Sequence, residues 1–162
     1  MQGRNVTAIA TLAVVIVIGG LLSMAVGVPK SRKVPPPEFY ASYTKWASHG
    51  IQTYEFTVQT LCQCDIRPIH VYVLNGVVSK AEFATSAART PLAASDMRYR
   101  LLTIDAIFSD IAKSYANGYD KIQANYDAKY GIPIEYFLDR DAKAFDDEAT
   151  VRVSDFVPAT RG

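Results

Sequence analysis

Both cysteines, both histidines and the only tryptophan of this chain fall in one continuous stretch, Trp46 to Gly76. Cys62-Gln63-Cys64 is its most reactive unit. If an extended strand ran through both cysteines, their side chains would share a face about 6–7 Å apart. A disulfide needs Cβ atoms roughly 3.5–4.5 Å apart, so a bond requires the backbone to turn here. Asp65 and Pro68, just beyond, are turn formers. Four readings compete for the pair: a tight structural disulfide, two reduced thiols serving as small core residues, a redox-active pair, and a metal site with His49 or His70. A small strained ring is easily reduced, which is the case for redox activity. Zinc sites usually use Cys-x-x-Cys, and each histidine alone reads as an ordinary strand or surface residue. The histidines flank the cysteines in sequence, but nothing orients a Cys–His nucleophile pair.

The second constellation is acidic. Asp139, Asp141, Asp146, Asp147 and Glu148 lie close together, with Arg140 and Lys143 among them. Hard cations want several oxygens, but the spacing is not that of an EF-hand, which alternates its ligands around a central glycine. Asp139 and Asp147 as an acid–base pair for glycoside hydrolysis would need a substrate cleft for which the sequence gives no signal. A solvated acidic turn or a partner-binding patch is the expectation. The chain holds no Gly-rich phosphate loop, nucleophile elbow or metalloprotease motif. Enzymatic activity is therefore not expected, and neither is a cofactor. A formal charge of +1 leaves no electrostatic footprint for nucleic acid.

The positioning elements are read from periodicity. Phe39, Tyr43, Trp46 and Ala47 recur at helical spacing over Glu38–His49, between Pro37 and Gly50. Tyr54, Phe56, Val58 and Thr60 alternate with Glu55, Thr57 and Gln59, the pattern of a half-buried strand. Ile69–Leu74 and Val77–Phe83 flank Asn75-Gly76, whose readiness for positive φ predicts a two-residue hairpin. Residues 84–100, rich in small and polar side chains, read as a long loop. Thr103 is placed to cap a second helix with the stripe Ile104, Ile107, Phe108, Ile111, Ala112 and Tyr115, which ends at Gly118. Ile122–Tyr126, Ile132–Leu138 and Val151–Val157 complete the set as strands. The order predicts an α+β fold, an antiparallel sheet with two helices on one face, arranged as an αβββ-αβββ pseudo-repeat.

This domain, residues 38–158, follows a different kind of segment. Val6 to Val28 carries no charge and is long enough to span a hydrocarbon core of about 30 Å. Residues 1–28 therefore read as an N-terminal transmembrane helix or a signal segment, with Ser23-Met24-Ala25 as a small-x-small cleavage site. Its length favours an uncleaved single-pass anchor; cleavage after Ala25 would release a secreted domain. Lys30, Arg32 and Lys33 after the span, taken alone, favour a cytoplasmic domain. A short basic head before an apolar run is the usual export signal, and an extracytoplasmic domain is the expectation. Residues 29–37 read as a stiff Pro-rich spacer holding the domain off the membrane, its basic residues either lying near lipid headgroups or forming a solvated juxtamembrane stop sequence. Residues 159–162 are a tail.

With these residues laid out, the chain resembles a bacterial family catalogued as domain of unknown function 6174. The likeness runs through Trp46, Gly50, Tyr54, Cys62-x-Cys64 and Gly76, then Thr103-Ile104-Asp105 and Phe108. It continues with Tyr126-Asp127, Tyr130-Gly131-Ile132-Pro133, Asp139 and Asp146-Asp147-Glu148. The resemblance implies a small exported or membrane-attached protein without an assigned activity, and it brings no catalytic residue. Members often carry a lipoprotein signal; this chain has no cysteine near the end of its apolar segment. The functional expectation is a membrane-tethered, extracytoplasmic binding or interaction module of the cell envelope, with an envelope protein or ligand as partner. A thiol-disulfide redox protein using Cys62 and Cys64 is the alternative. An envelope assembly factor is a third reading, argued from location alone.

Overall fold

The computed structural model describes residues 30–63, 66–84, 89–93 and 101–159. The elements are α1 (Pro37–His49), β1 (Tyr54–Leu61), β2 (Ile69–Leu74), β3 (Val77–Ala84), β4 (Arg89–Pro91), α2 (Ile104–Ala116), β5 (Lys121–Tyr126), β6 (Pro133–Asp139) and β7 (Ala149–Pro158). The α+β class holds: the seven strands form one sheet in the order β4-β3-β2-β1-β7-β6-β5, every neighbouring pair antiparallel.

Local chemistry sets the boundaries. Pro37 opens α1, and Gly50 closes it in the left-handed region at φ 59°, donating its N–H to the Ala47 carbonyl. The Thr103 hydroxyl accepts the Ala106 N–H at the start of α2, satisfying one amide that the helix leaves open. Asn75 and Gly76 take φ 52° and 78° and join Leu74 directly to Val77, as the dipeptide predicts.

One face of the sheet is the core. Tyr54, Phe56 and Val58 face Val73, Val71 and Ile69 across β1–β2, while Val151 and Val153 continue the same face onto β7. Tyr136 and Leu138 carry it to β6. α2 lays Ile104, Ile107, Phe108 and Ile111 on this face, and α1 adds Phe39 and Trp46. Aromatic edges lock the layers: Phe39 and Tyr43 meet Phe108, and Trp46 meets Tyr54 and Phe156. Two α2 carboxylates act as anchors, Asp105 accepting from Trp46 Nε1 at 3.1 Å and Asp110 from the Tyr136 hydroxyl at 2.9 Å.

Three expectations need correcting. The stretch read as loop from residue 84 holds a short edge strand, β4, which pairs with β3 at Glu82, Phe83 and Ala84 and is followed by buried Leu92. With β4 added, the element order is αββββ-αβββ rather than αβββ-αβββ, and the two halves join edge to edge through β1 and β7. The spacer does not stand clear of the domain either. Lys33 donates its backbone N–H to the Tyr115 carbonyl, and its ammonium reaches the Tyr119 and Asp120 carbonyls at 2.5 and 3.0 Å. Lys30 pairs with Asp120 at 3.2 Å and donates to the Arg140 carbonyl. No described helix is long and apolar enough to cross a membrane; the anchor expected at residues 1–28 lies outside the described residues.

Candidate binding site

The sheet face away from the helices carries the polar halves of the strands. Cross-strand register lines up Glu82, His70, Thr57 and Ser154 over β3-β2-β1-β7, and beside them Gln59, Arg152, Glu135 and Asn125 over β1-β7-β6-β5. Arg152 Nε meets Glu135 Oε2 at 2.7 Å. Lys80 meets Glu82 at 2.8 Å, its ammonium 5.5 Å from the centre of the Tyr72 ring.

His70 sits in the middle of this face with both ring nitrogens engaged. Nδ1 lies 3.1 Å from the Thr57 hydroxyl and Nε2 lies 3.4 Å from Glu55 Oε2. A hydroxyl, an imidazole and a carboxylate in line have the connectivity of a nucleophilic triad. Acyl transfer also needs donors aimed at the developing oxyanion. β1 is a central strand paired with β2 and β7, so its amides serve the ladders rather than turning toward the Thr57 hydroxyl. The arrangement is a cross-strand hydrogen-bond chain that fixes the His70 ring. The sequence concealed it, because the β1–β2 register cannot be read through the cysteine turn.

Where the open face meets the Asn75–Gly76 end, it forms a shallow, open cleft of about 310 Å³. Tyr72, Leu74, Val157 and Pro158 form apolar walls, with the Glu55 carboxylate and Ser79 hydroxyl at the rim. Two irregularities shape it. The β1–β7 register shifts between Glu55 and Thr57, where Asp155 takes φ 53°, and the β2–β3 register shifts between Tyr72 and Val73. Such shifts bend and twist a strand locally, and these two occur in the strands that wall the cleft. Tyr54, from the core side, lines it as well, its hydroxyl accepting the Ile104 N–H at 3.1 Å. Burial pushes the Tyr54 phenol up to about 12, the Ile104 hydrogen bond opposes this, and Asp105 adds to it. The group stays neutral at physiological pH and acts as a structural acceptor. Leu74 and Val157 are each about half exposed and Val77 more so, an apolar rim on a mainly polar face whose other apolar side chains, Leu61 and Phe137, are only partly exposed.

The residues singled out by sequence lie at the opposite end of the sheet. β1 and β6 run in the same direction, so Leu61 and Asp139 end together. Cys62 follows β1 directly; no cysteine among the described residues is free, and Cys64 lies outside them. Asp139 closes β6, and Asp141, Asp146, Asp147 and Glu148 occupy the β6–β7 loop. Gln63 donates to Asp146 at 3.1 Å, so the cysteine turn and the acidic loop touch. Lys30 contacts Asp120 and, at 3.9 Å, Asp141. The Ala142 N–H and then Lys30 hold the Asp120 carboxyl below the usual range. Removal from solvent and the charges of Asp147, Glu148 and Asp120 push Asp139 up, with Lys30 opposing.

Among the described residues no group of three His, Cys, Asp or Glu side chains is arranged to hold a metal. His49 lies at the other end, its Nε2 3.1 Å from the Lys129 carbonyl and its ring against Tyr130. His70 contacts β1 at Thr57, five residues before Cys62, about 16 Å along an extended strand.

Residues 38–158 match a family described as a family of unknown function (DUF6174). No curated protein and no solved structure matches the chain.

Proposed function

The chain belongs to the family of unknown function DUF6174, and on that premise we propose that it is a membrane-tethered binding module of the bacterial cell envelope, facing the extracytoplasmic side and without catalytic activity. One observation carries the reading: the shallow apolar cleft between Tyr72, Leu74, Val157 and Pro158, bordered by exposed Val77, on a sheet face whose other apolar side chains, Leu61 and Phe137, are only partly exposed. A concave apolar site with a few polar groups at its rim is the ordinary form of a binding site. The charge-free run Val6–Val28 supports the tether.

A photo-crosslinking side chain placed at Leu74 in intact cells should yield adducts. One placed at Lys121, across the same face at the other end, should yield none, and Val157→Asp should abolish the Leu74 adducts. Equal yields from both positions, or adducts indifferent to Val157→Asp, would refute the reading.

In this proposal Cys62 and Cys64 form a structural cross-link rather than a working redox pair, in keeping with the absence of a free thiol among the described residues. Replacing both by Ser should then lower stability by about 1.5 kcal/mol, the chain-entropy value for so short a loop. A redox protein would instead keep its stability and lose thiol-disulfide exchange. Denaturant unfolding beside an insulin-reduction assay separates the two.

A further inference from the structure

The Lys30 contacts determine which part of the domain faces the membrane. Ser31 packs so closely on Gly118 that a Cβ there would collide with the Ser31 carbonyl and the Lys30 side chain. With Lys33 held by Tyr115, Tyr119 and Asp120, the segment 30–33 is strapped to the turn between α2 and β5 and to the base of the β6–β7 loop. Val28, the last residue of the charge-free run, is two residues from Lys30, a reach of about 7 Å even fully extended. A tether emerging from a bilayer therefore brings the loop with it.

That loop ends in an otherwise unexplained side chain. Phe145 is 95 % exposed, the most exposed large apolar residue among those described. Ile66, at the same end beyond the cysteine turn, is 51 % exposed, its carbonyl held by Gln59. Phe145 is followed directly by Asp146, Asp147 and Glu148; of the nearby charges, Lys30 covers Asp120 and Asp141, Arg140 reaches the Asp147 carbonyl, and Lys143 sits two residues before Phe145. A Phe ring at the edge of such a loop can bury at the headgroup–acyl boundary while the charges beside it stay in water.

Resting on the tether reading, we infer that Phe145 and Ile66 dip into the lipid interface of the bilayer holding the chain's own N-terminal segment, so that the domain stands on its acidic-loop end. The sheet then rises from the membrane and the cleft opens at the far end, about 25 Å away along an eight-residue strand.

The test uses the full chain in liposomes of phosphatidylcholine, with and without phosphatidylglycerol and with brominated acyl chains as quencher. Native Trp46 is buried, so the emission added by Phe145→Trp is read against the parent protein. A Val77→Trp variant reports on the opposite end. The added emission of Phe145→Trp should shift to the blue and be quenched severalfold in both lipid mixtures, with Val77→Trp unquenched and thermal unfolding unchanged. Alkaline carbonate extraction of the same samples reads the tether by itself. A chain that resists extraction while its Phe145→Trp signal is no more quenched than that of Val77→Trp overturns the inference and leaves the tether standing. A chain released by carbonate overturns both. A blue shift that appears only at high protein density, without quenching, assigns the Phe145 surface to a second copy and overturns the lipid contact.

Discussion

The two ends of the sheet use the same strands for opposite purposes. At the Leu61–Asp139 end the strands finish in a cysteine turn, an acidic loop and a lysine strap, tied by charge and by backbone carbonyls. At the Tyr54–Pro158 end they finish in register shifts, half-exposed aliphatic side chains and a cleft. At the charged end the ionic groups are met by the chain itself, with Phe145 and Ile66 exposed beside them, whereas the other end exposes the aliphatic rim of a cleft. A cluster of ionisable residues in a small domain can therefore serve the chain's own packing. Here they hold the chain to itself, and the unfilled apolar concavity is elsewhere.

The contrast can be broken by attacking the strap. Gly118→Val forces a β-branched residue to φ 70° and drives it into Ser31. It should cost about 3 kcal/mol in denaturant unfolding, and roughly half of that in a chain beginning at Val34, where only the backbone strain remains. An equal cost in both chains would mean that the strap contributes nothing. At the cleft end, Tyr54→Phe leaves the Ile104 N–H without its acceptor and should cost about 1.5 kcal/mol, with the cleft walls intact.

The smallest effects lie at the acidic end and have opposite signs. The Asp139 pKa is raised in the folded state, so its ionisation opposes folding. Asp139→Asn should stabilise fully above that raised pKa, the gain disappearing as pH falls toward the ordinary value of 3.8. The Asp120 pKa is lowered, so this residue supplies stability that is present above 3.8 and lost as pH falls through its folded value. Asp120→Asn should therefore destabilise at neutral pH and matter little in strong acid. Thermal melts from pH 3 to pH 7 read both, and variants that shift in the same direction would dissolve the distinction.

Much of the scaffold was legible because its cues are local. Asn75-Gly76 dictates its turn, Pro37 and Gly50 bracket α1, and the stripe from Ile104 to Tyr115 needs no tertiary knowledge to be read as a helix. β4 was missed because three residues containing Pro91 in a small-residue stretch show no alternation. The cleft was missed for a different reason. Alternation tells which side chains share a face, but the register shifts at Glu55–Thr57 and Tyr72–Val73 that border the cleft depend on strand partners. Lys30 and Lys33 looked like solvated basic residues, since their acceptors on Tyr119, Asp120 and Arg140 lie far away in sequence. That the two halves join through β1 and β7 is likewise a long-range pairing, which element order does not encode.

The strap also bears on mechanics. A pull along the N-terminus is met first by the Tyr115 carbonyl, the Gly118 contact and the carbonyls of Tyr119 and Asp120, all beside the end of α2. Only after those contacts give way does the load reach Pro37 and the first helix. Like the clamp where a cable enters its housing, the segment spares α1 from a load applied to the N-terminus.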